Sequence, residues 1–369
     1  MFRNTKAVIN LEAIGYNIRQ LQQLLPEGRK MMGVVKADGY GHGSVAVARK
    51  LIEAGVDYLM VALLEEAMHL RQHGVDTPIL VVGRVHPEHA LIAAENDITL
   101  NVYEADWLKT VVDGHFTKPL SIHVEFETGM NRTGVVSKKE LASLVKEVEK
   151  HPNIRITGAF THFATADDIA SEHYQRQSDV YEEMLHALTD LYPYPMITHT
   201  GNSAAGIQYP NQMKQYTRFG VSIYGLYPSR HIKVLENVAL KEAFSLYSEL
   251  IQVKKVSKGA YVGYGAHYEA EEDMWIGTIP IGYGDGWSRA LQGFYVLVNG
   301  RKMPIVGRVC MDSMMVRLDK AYEVGEKVTL IGKDGEGVIE MDDLAYHLKT
   351  INYEIPCMLT SRVPRLYEG

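Results

Sequence analysis

The sequence predicts an α/β fold, with an N-terminal (β/α)8 TIM-like barrel followed by a mostly β C-terminal domain. Three observations predict it. Eight short apolar runs alternate with amphipathic stretches between residues 30 and 225. The GxGxxG fingerprint that a doubly wound dinucleotide sheet carries after its first strand is absent there. Beyond residue 235 the texture turns to short β-rich runs. A chain of 369 residues is long for one core, so a cofactor-binding barrel over 1–234 and a β-rich domain over 235–369 are expected.

Taken in order, the first run is "MMGVVKA". The stretch "SVAVARKLIEAG" (44–55) after it repeats apolar residues at helical spacing and ends in glycine, a common helix stop. "DYLMVA" leads into "ALLEEAMHLRQHG" (62–74), built the same way, and "PILVVG" and "DITLNV" are the third and fourth strands. The fifth, "LSIHVEFE", alternates: Ile122, Val124 and Phe126 fall on one face, His123, Glu125 and Glu127 on the other. Its apolar face is expected to pack on helices, leaving both glutamates pointing into the barrel. "SKKELASLVKEVEKH" (137–151) is the helix that follows, and "IRITGAFTHF", "MITHTGN" and "RFGVSIYGL" complete the eight. In the second half, "FSLYSELIQVKKV", "MWIGTIPIGYGDG" and "EKVTLIGKDG" are strand-like. "YVLVNGRKMPIVG" predicts a hairpin, because Asn299-Gly300 suits a tight two-residue turn. "EMDDLAYHLKT" predicts a late helix.

Composition narrows the function. With a net charge of -7 and no basic patch, a nucleic-acid or anionic-membrane partner is not expected. No run approaches the ~18 apolar residues of a membrane span. The start, "MFRNTKAVINLEAIGYNIRQL", lacks the apolar core and cleavage site of a signal peptide, so a cytoplasmic protein is expected. Two cysteines cannot build a disulfide framework, and with no HExxH or CxxC no metal site is expected.

The polar residues fall where such a barrel would use them. In (β/α)8 barrels, working residues gather at the C-terminal ends of strands. In "GVVKADGYGHG", Lys36, Tyr40 and His42 follow the first strand. Glu125, Glu127 and Arg132 belong to the fifth, and His162 ends the sixth. His199, Asn202 and Ser203 follow the seventh, and Arg218, Gly220 and Val221 begin the eighth. One lysine at a strand end is ordinarily snorkelling or paired, and one glycine cluster is ordinarily a turn. Five polar strand ends on one rim make a site. "GNSAAG" and "RFGV" offer a hydroxyl, an amide and open backbone N–H groups near the last two strands, where barrels often bind phosphate. A lysine whose charge is weakened by burial and cationic neighbours can form a Schiff base with a carbonyl. A phosphate and an aldehyde on one ligand describe pyridoxal 5'-phosphate.

"VVKADGYGHG", "TGMNRTG", "THFATAD", "HTGNSAAG", "RFGVSIYG", "VGYGAHY", "IGYGDGW", "GRVCMDSMMV" and "INYEIPC" occur in that order. As an ordered set, from "AVINLEAIGYNI" to "INYEIPCMLTSRVPR", they resemble the alanine racemase family over nearly the whole chain. The resemblance implies a pyridoxal-phosphate enzyme that interconverts L- and D-alanine and supplies D-alanine for bacterial peptidoglycan. It implies that Lys36 carries the cofactor and is one of two acid/base groups, one on each face of the substrate carbon. The other is Tyr264, reaching in from a second subunit of a homodimer with shared sites; taken alone, Tyr264 would be only a hairpin aromatic. A phenol ordinarily titrates near about 10, so the family supports its tyrosine with a hydrogen-bonded chain, here His162 and Arg218, ending at the ring nitrogen. Tyr40, Ser203, Gly220, Val221 and Tyr353 would hold the phosphate, with Asn202 nearby. Arg132 would contact the ring hydroxyl and the substrate carboxylate, which the Met311 backbone amide of the second subunit also meets. Asp312 would orient Tyr264.

One position departs from the family. Many members have a lysine where Glu125 stands, carbamylated to steady the active-site arginine. Glu125 is expected to supply that carboxylate directly, with Arg132 as its partner; the alternative is a glutamate paired elsewhere. Other readings are a serine or broader-specificity racemase, a pyridoxal-phosphate-dependent aldolase of the same fold, and a cofactor-binding homeostasis protein without catalysis. The second domain, with "VGYGAHY" and "RVCMD", argues against the last.

Overall fold

A computed structural model describes residues 2–111, 116–168 and 171–369 of the chain. It divides into two compact units: Ala13–Gly39 with Ser44–Glu242, and Met1–Glu12 with Tyr40–Gly43 and Ala243–Gly369. The first unit is a closed parallel barrel; the second is mostly β.

The first strand of the chain, β1 (Lys6–Asn10), belongs to the β unit. The barrel follows as β2 (Lys30–Val34), β3 (Leu59–Val61), β4 (Ile79–Val81), β5 (Ile98–Asn101), β6 (Leu120–Glu125), β7 (Ile154–Phe160), β8 (Ile197–His199) and β9 (Tyr216–Phe219). Seven correspond to the apolar runs of the sequence; the eighth run, "RFGVSIYGL" (218–226), shares only Arg218 and Phe219 with β9, and its remainder is mostly the 3-10 turn Val221–Tyr224. Neighbours pair in parallel around the ring, and β9 closes on β2 with Lys30 opposite Tyr216 and Gly33 opposite Phe219. A strand with helices on one side and barrel filling on the other is buried on both faces, which is why β3, β4 and β5 bury every residue.

The helices form where the periodicity predicts them, at Ser44–Glu53, Leu64–Gln72 and Lys138–Val148. The last is capped by the Ser137 side chain, which accepts the Glu140 N–H, and it buries Leu141, Leu144, Val145 and Val148. Among the described residues, no helix is long and apolar enough to cross a membrane.

In the second unit the strands are β10 (Phe244–Glu249), β11 (Gln252–Val256), β12 (Tyr261–Val262), β13 (Tyr268–Glu269), β14 (Met274–Ile279), β15 (Tyr295–Val298), β16 (Arg301–Val306), β17 (Met314–Leu318), β18 (Lys327–Asp334), β19 (Gly337–Ile339) and β20 (Arg365–Glu368). The main sheet runs β11-β14-β17-β16-β15-β18-β10-β1-β20, and β12 and β13 form a separate ribbon. The expected hairpin is present: Val298 pairs with Arg301 across Asn299 (φ 50°) and Gly300 (φ 75°), both left-handed as this turn requires. The late helix spans Met341–Leu348. The sequence reading missed β1, which lies antiparallel to β10 and parallel to β20. Its partners are more than two hundred residues away, and no local pattern announces such pairing.

Candidate active site

Within the barrel unit, the C-terminal strand ends bring together a cluster of cations, imidazoles and one carboxylate. Lys36 stands just beyond β2, Glu125 ends β6, His162 follows β7, Ser203 follows β8 and Arg218 lies within β9. The Arg218 guanidinium organises the cluster. It is buried, and its Nη1 donates to His199 Nδ1 (3.0 Å) and the His199 carbonyl (2.9 Å). Its Nη2 donates to the carbonyls of Thr161 (2.8 Å) and Thr200 (3.1 Å) and to His162 Nδ1 (3.3 Å). Among the described residues no acceptor faces its Nε–H. Burial brings the group down to about 10, which still leaves it a cation at neutral pH.

An arginine only donates, and that fixes the proton positions of its neighbours. His162 and His199 each receive at Nδ1, so each neutral ring carries its proton on Nε2. His199 Nε2 then donates to His123 Nδ1, 2.9 Å away in the barrel interior. Burial first, and the Arg218 charge second, hold His162 and His199 well below the ordinary imidazole range. Burial alone takes His123 down to about 3. Arg132 and Lys36 add their positive charge to the effect on His162. His123 is a residue that sequence reasoning left out of the site. Its signal was the alternation in "LSIHVEFE", which puts it on the same face as Glu125.

Glu125 is buried and faces inward as expected, but its partners differ from expectation. Asn101 Nδ2 (2.7 Å) and Thr133 Oγ1 (2.9 Å) donate to its carboxylate. Among the described residues it makes no ion pair with Arg132, which is exposed on the loop; Arg132 and Arg218 act on it as nearby charges. Burial raises its pKa, against those hydrogen bonds and charges. Glu127 does not point into the barrel. Its carboxylate turns back on the loop and accepts the N–H groups of Gly129 and Arg132. The two glutamates thus shape the segment that presents Arg132.

After β8 and β9 the backbone forms two short helical starts. Asn202 caps Ser203–Gln208 by accepting the Ala205 N–H (3.0 Å), and its Nδ2 donates to the Phe163 carbonyl (3.1 Å). Both ends of its amide are therefore engaged in shaping the loop. Ser203 Oγ accepts the Gly220 N–H (3.0 Å) and keeps its own proton to donate. Gly220 opens the 3-10 turn Val221–Tyr224, whose first N–H groups lack acceptors within the turn.

The remaining expected residues lie in the β unit. Tyr40 and Tyr353 pack edge to face, ring centroids 6.4 Å apart. Burial raises the Tyr40 phenol far above its usual range, so it stays a donor. His42 is fully buried against Phe244 and bonds the Tyr40 carbonyl through Nδ1, which makes it a core residue of that unit. Tyr264 is 72% exposed in the single chain and Met311 53%. Asp312 receives Arg362 Nη2 (2.7 Å), and Arg362 also pairs with the fully buried Asp285. Asp312 makes no hydrogen bond to Tyr264 among the described residues; its partner there is Arg362.

Barrel and rim define a class: a (β/α)8 enzyme scaffold with a lysine, a buried arginine on two imidazoles, and a hydroxyl-and-amide cradle on one face. A family model described as alanine racemase, N-terminal domain, matches residues 9–228, and one described as alanine racemase, C-terminal domain, matches 243–367. The chain belongs to the alanine racemase family. It is 48% identical to the alanine racemase of Geobacillus stearothermophilus over 99% of this chain and 94% of that one. Its structure is similar to that of the Bacillus anthracis alanine racemase with bound L-Ala-P, with a TM-score of 0.97 at 38% identity, covering 100% of this chain and 96% of that one. A histidine racemase from Leuconostoc mesenteroides is similar at a TM-score of 0.87 and 29% identity, with coverage of 100% and 99%.

Proposed function

We propose that this chain interconverts L- and D-alanine with pyridoxal 5'-phosphate as cofactor, supplying D-alanine for bacterial cell-wall peptidoglycan. The observation that carries this reading is the buried Arg218 guanidinium, pinned by His162, His199 and three carbonyls, with its Nε–H left over beside a lysine-bearing rim. The residues fit the cofactor. Arg218 Nε suits a pyridine nitrogen, while the Ser203 hydroxyl, the Gly220 and Val221 backbone, the protonated Tyr40 phenol and Tyr353 suit a phosphate, within a loop shaped by Asn202. Lys36 suits the carbonyl.

When bound, the cofactor supplies an electron sink conjugated to the substrate's α-carbon, which makes that carbon's proton removable. Lys36 Nζ takes or returns this proton on the face that serves D-alanine. Tyr264 of the partner subunit does so on the face that serves L-alanine. Its exposure in the single chain fits a group that a second copy brings into place. His162 has its Nε2–H free of Arg218 and can donate it to the tyrosine oxygen, steadying the phenolate when the proton is away. Arg218 keeps its own proton, so towards a bound pyridine nitrogen it would act as a hydrogen-bond donor and not as an acid, which would limit side reactions. Arg132 and the Met311 backbone amide of the partner subunit hold the substrate carboxylate, Glu125 fixes the loop that carries Arg132, and Asp312 supports Arg362 near the same turn.

The test is formation of D-alanine from L-alanine by the purified, cofactor-loaded protein. Absence of D-alanine overturns the reading. The likeness to a histidine racemase supports a second reading, racemisation of a broader range. A hydrophobic pocket separates alanine from serine poorly, so parallel rates on alanine, serine and histidine decide between the two.

A further inference from the structure

The turn that carries Lys36 runs through left-handed backbone. Ala37 (φ 52°), Asp38 (φ 51°), Gly39 (φ 62°), Tyr40 (φ 51°) and Gly41 (φ 77°) succeed one another. Residues with a Cβ visit this region singly and at a cost, and three of these five have one. Such a run persists only where its surroundings over-determine it.

Two carboxylates do so. Asp38 Oδ1 accepts the Ser44 N–H (2.8 Å), and the Gly39 N–H returns to the Val35 carbonyl (2.9 Å). Glu66 does more. Its Oε1 accepts the Ala37 N–H (2.6 Å), while Oε2 accepts the N–H groups of Ala62 (2.8 Å) and Leu63 (3.0 Å). Ala62 and Leu63 close β3 and open the helix Leu64–Gln72, where Leu63 is an N-cap residue without a capping side chain. β2 and β3 are paired neighbours. One carboxylate therefore ties together the loops that leave two adjacent strands, using only backbone donors. Capping the helix would need Oε2 alone; Oε1 is spent on the residue next to Lys36.

We propose that Glu66 is a positioning residue for Lys36. By holding the Ala37 N–H it fixes the left-handed turn, and with it the direction from which Lys36 Nζ reaches the reacting carbon. This rests on the reading of Lys36 as cofactor lysine and proton carrier. A carboxylate is required, since both oxygens must accept. Glutamine would set an NH2 group against an N–H donor, and aspartate is one methylene short.

The experiment uses full-length holoenzyme carrying Glu66→Gln, Glu66→Ala, and Glu66→Ala with Leu63→Ser, in which serine restores a cap. Three quantities are read: α-proton exchange into solvent from D-alanine and from L-alanine, thermal midpoint, and the rate at which apoprotein is labelled at Lys36 by pyridoxal 5'-phosphate plus borohydride, mapped by peptide mass. Glu66→Ala is expected to slow exchange from D-alanine about 10- to 100-fold, slow exchange from L-alanine less, and slow Lys36 labelling. Glu66→Gln should fall between this variant and the unaltered protein. Leu63→Ser should recover the thermal midpoint and leave the D-alanine rate slow. Recovery of that rate together with the midpoint would show Glu66 to be a helix cap and overturn the proposal, as would unaltered rates in Glu66→Ala. Labelling of the unaltered protein at a lysine other than Lys36 would overturn the reading beneath it.

Discussion

Glu125 receives hydrogen bonds from Asn101 and Thr133, so deleting its carboxylate strands two donors in a buried site. Each stranded donor costs about 1–3 kcal/mol, and Arg132 and Arg218 lose a nearby negative charge as well. Glu125→Ala should therefore lower turnover and loosen the cofactor together. Because the carboxylate is built into the side chain, activity should not change when bicarbonate is depleted. Normal kinetics and cofactor affinity in Glu125→Ala would remove Glu125 from the machinery. At the same scale, Tyr264→Phe should slow proton loss from L-alanine more than exchange from D-alanine, measured as separate isotope-exchange rates; equal losses would count against two bases. Glu125 was legible as an inward residue from the alternation in its strand. Its partners were not, because Asn101 comes from a different strand and Thr133 sits beside the arginine that sequence proximity favoured.

Strands β6 and β7 show how an element makes room for the site. Their register shifts between Ile122 and His123, and His123 then lies opposite Gly158. A Cβ at Gly158 would come within 2.6 Å of the His123 ring. That ring is the far end of the chain through His199 to Arg218. Gly158→Ala should destabilise the protein by about 1–3 kcal/mol, as overpacking of a tight core does. It should also weaken cofactor binding by shifting Arg218. A urea midpoint and a cofactor titration check the two effects, and an unchanged midpoint would show that the ring has space to move. The apolar runs announced seven barrel strands, since a strand buried on both faces needs little else, and caught only the end of β9, whose apolar continuation is a 3-10 turn. The register shift left no such mark, because it depends on how two strands meet.

Three neutral imidazoles inside one barrel make the whole molecule sensitive to acid. His123, His162 and His199 resist protonation in the folded state, chiefly through burial, whereas in the unfolded chain they titrate near about 6.5. Below that pH the unfolded state binds protons that the folded state refuses. Stability should thus be fully present above about pH 6.5 and fall as pH drops, by up to about 1.4 kcal/mol per histidine per pH unit. Glu125, raised by burial, works in the opposite sense and offsets part of this. Denaturant midpoints at pH 7.5, 6 and 5 measure the fall, and a flat series would contradict it. Assembly gives a second test at this scale. Subunits inactivated by Lys36→Ala and by Tyr264→Phe should recover activity when mixed into one dimer, and no recovery in verified mixed dimers would place both groups on one chain. The sequence by itself determined the barrel, the β-rich second half, the hairpin at Asn299-Gly300 and the family, because each is written in local periodicity, turn chemistry or ordered motifs. Only the tertiary structure decided that β1 joins the C-terminal sheet, that Arg218 rests on two imidazoles and three carbonyls, and that Glu66 clamps the turn beyond Lys36. Those arrangements depend on backbone groups and distant side chains meeting in space, and a linear pattern of residue types does not encode such meetings.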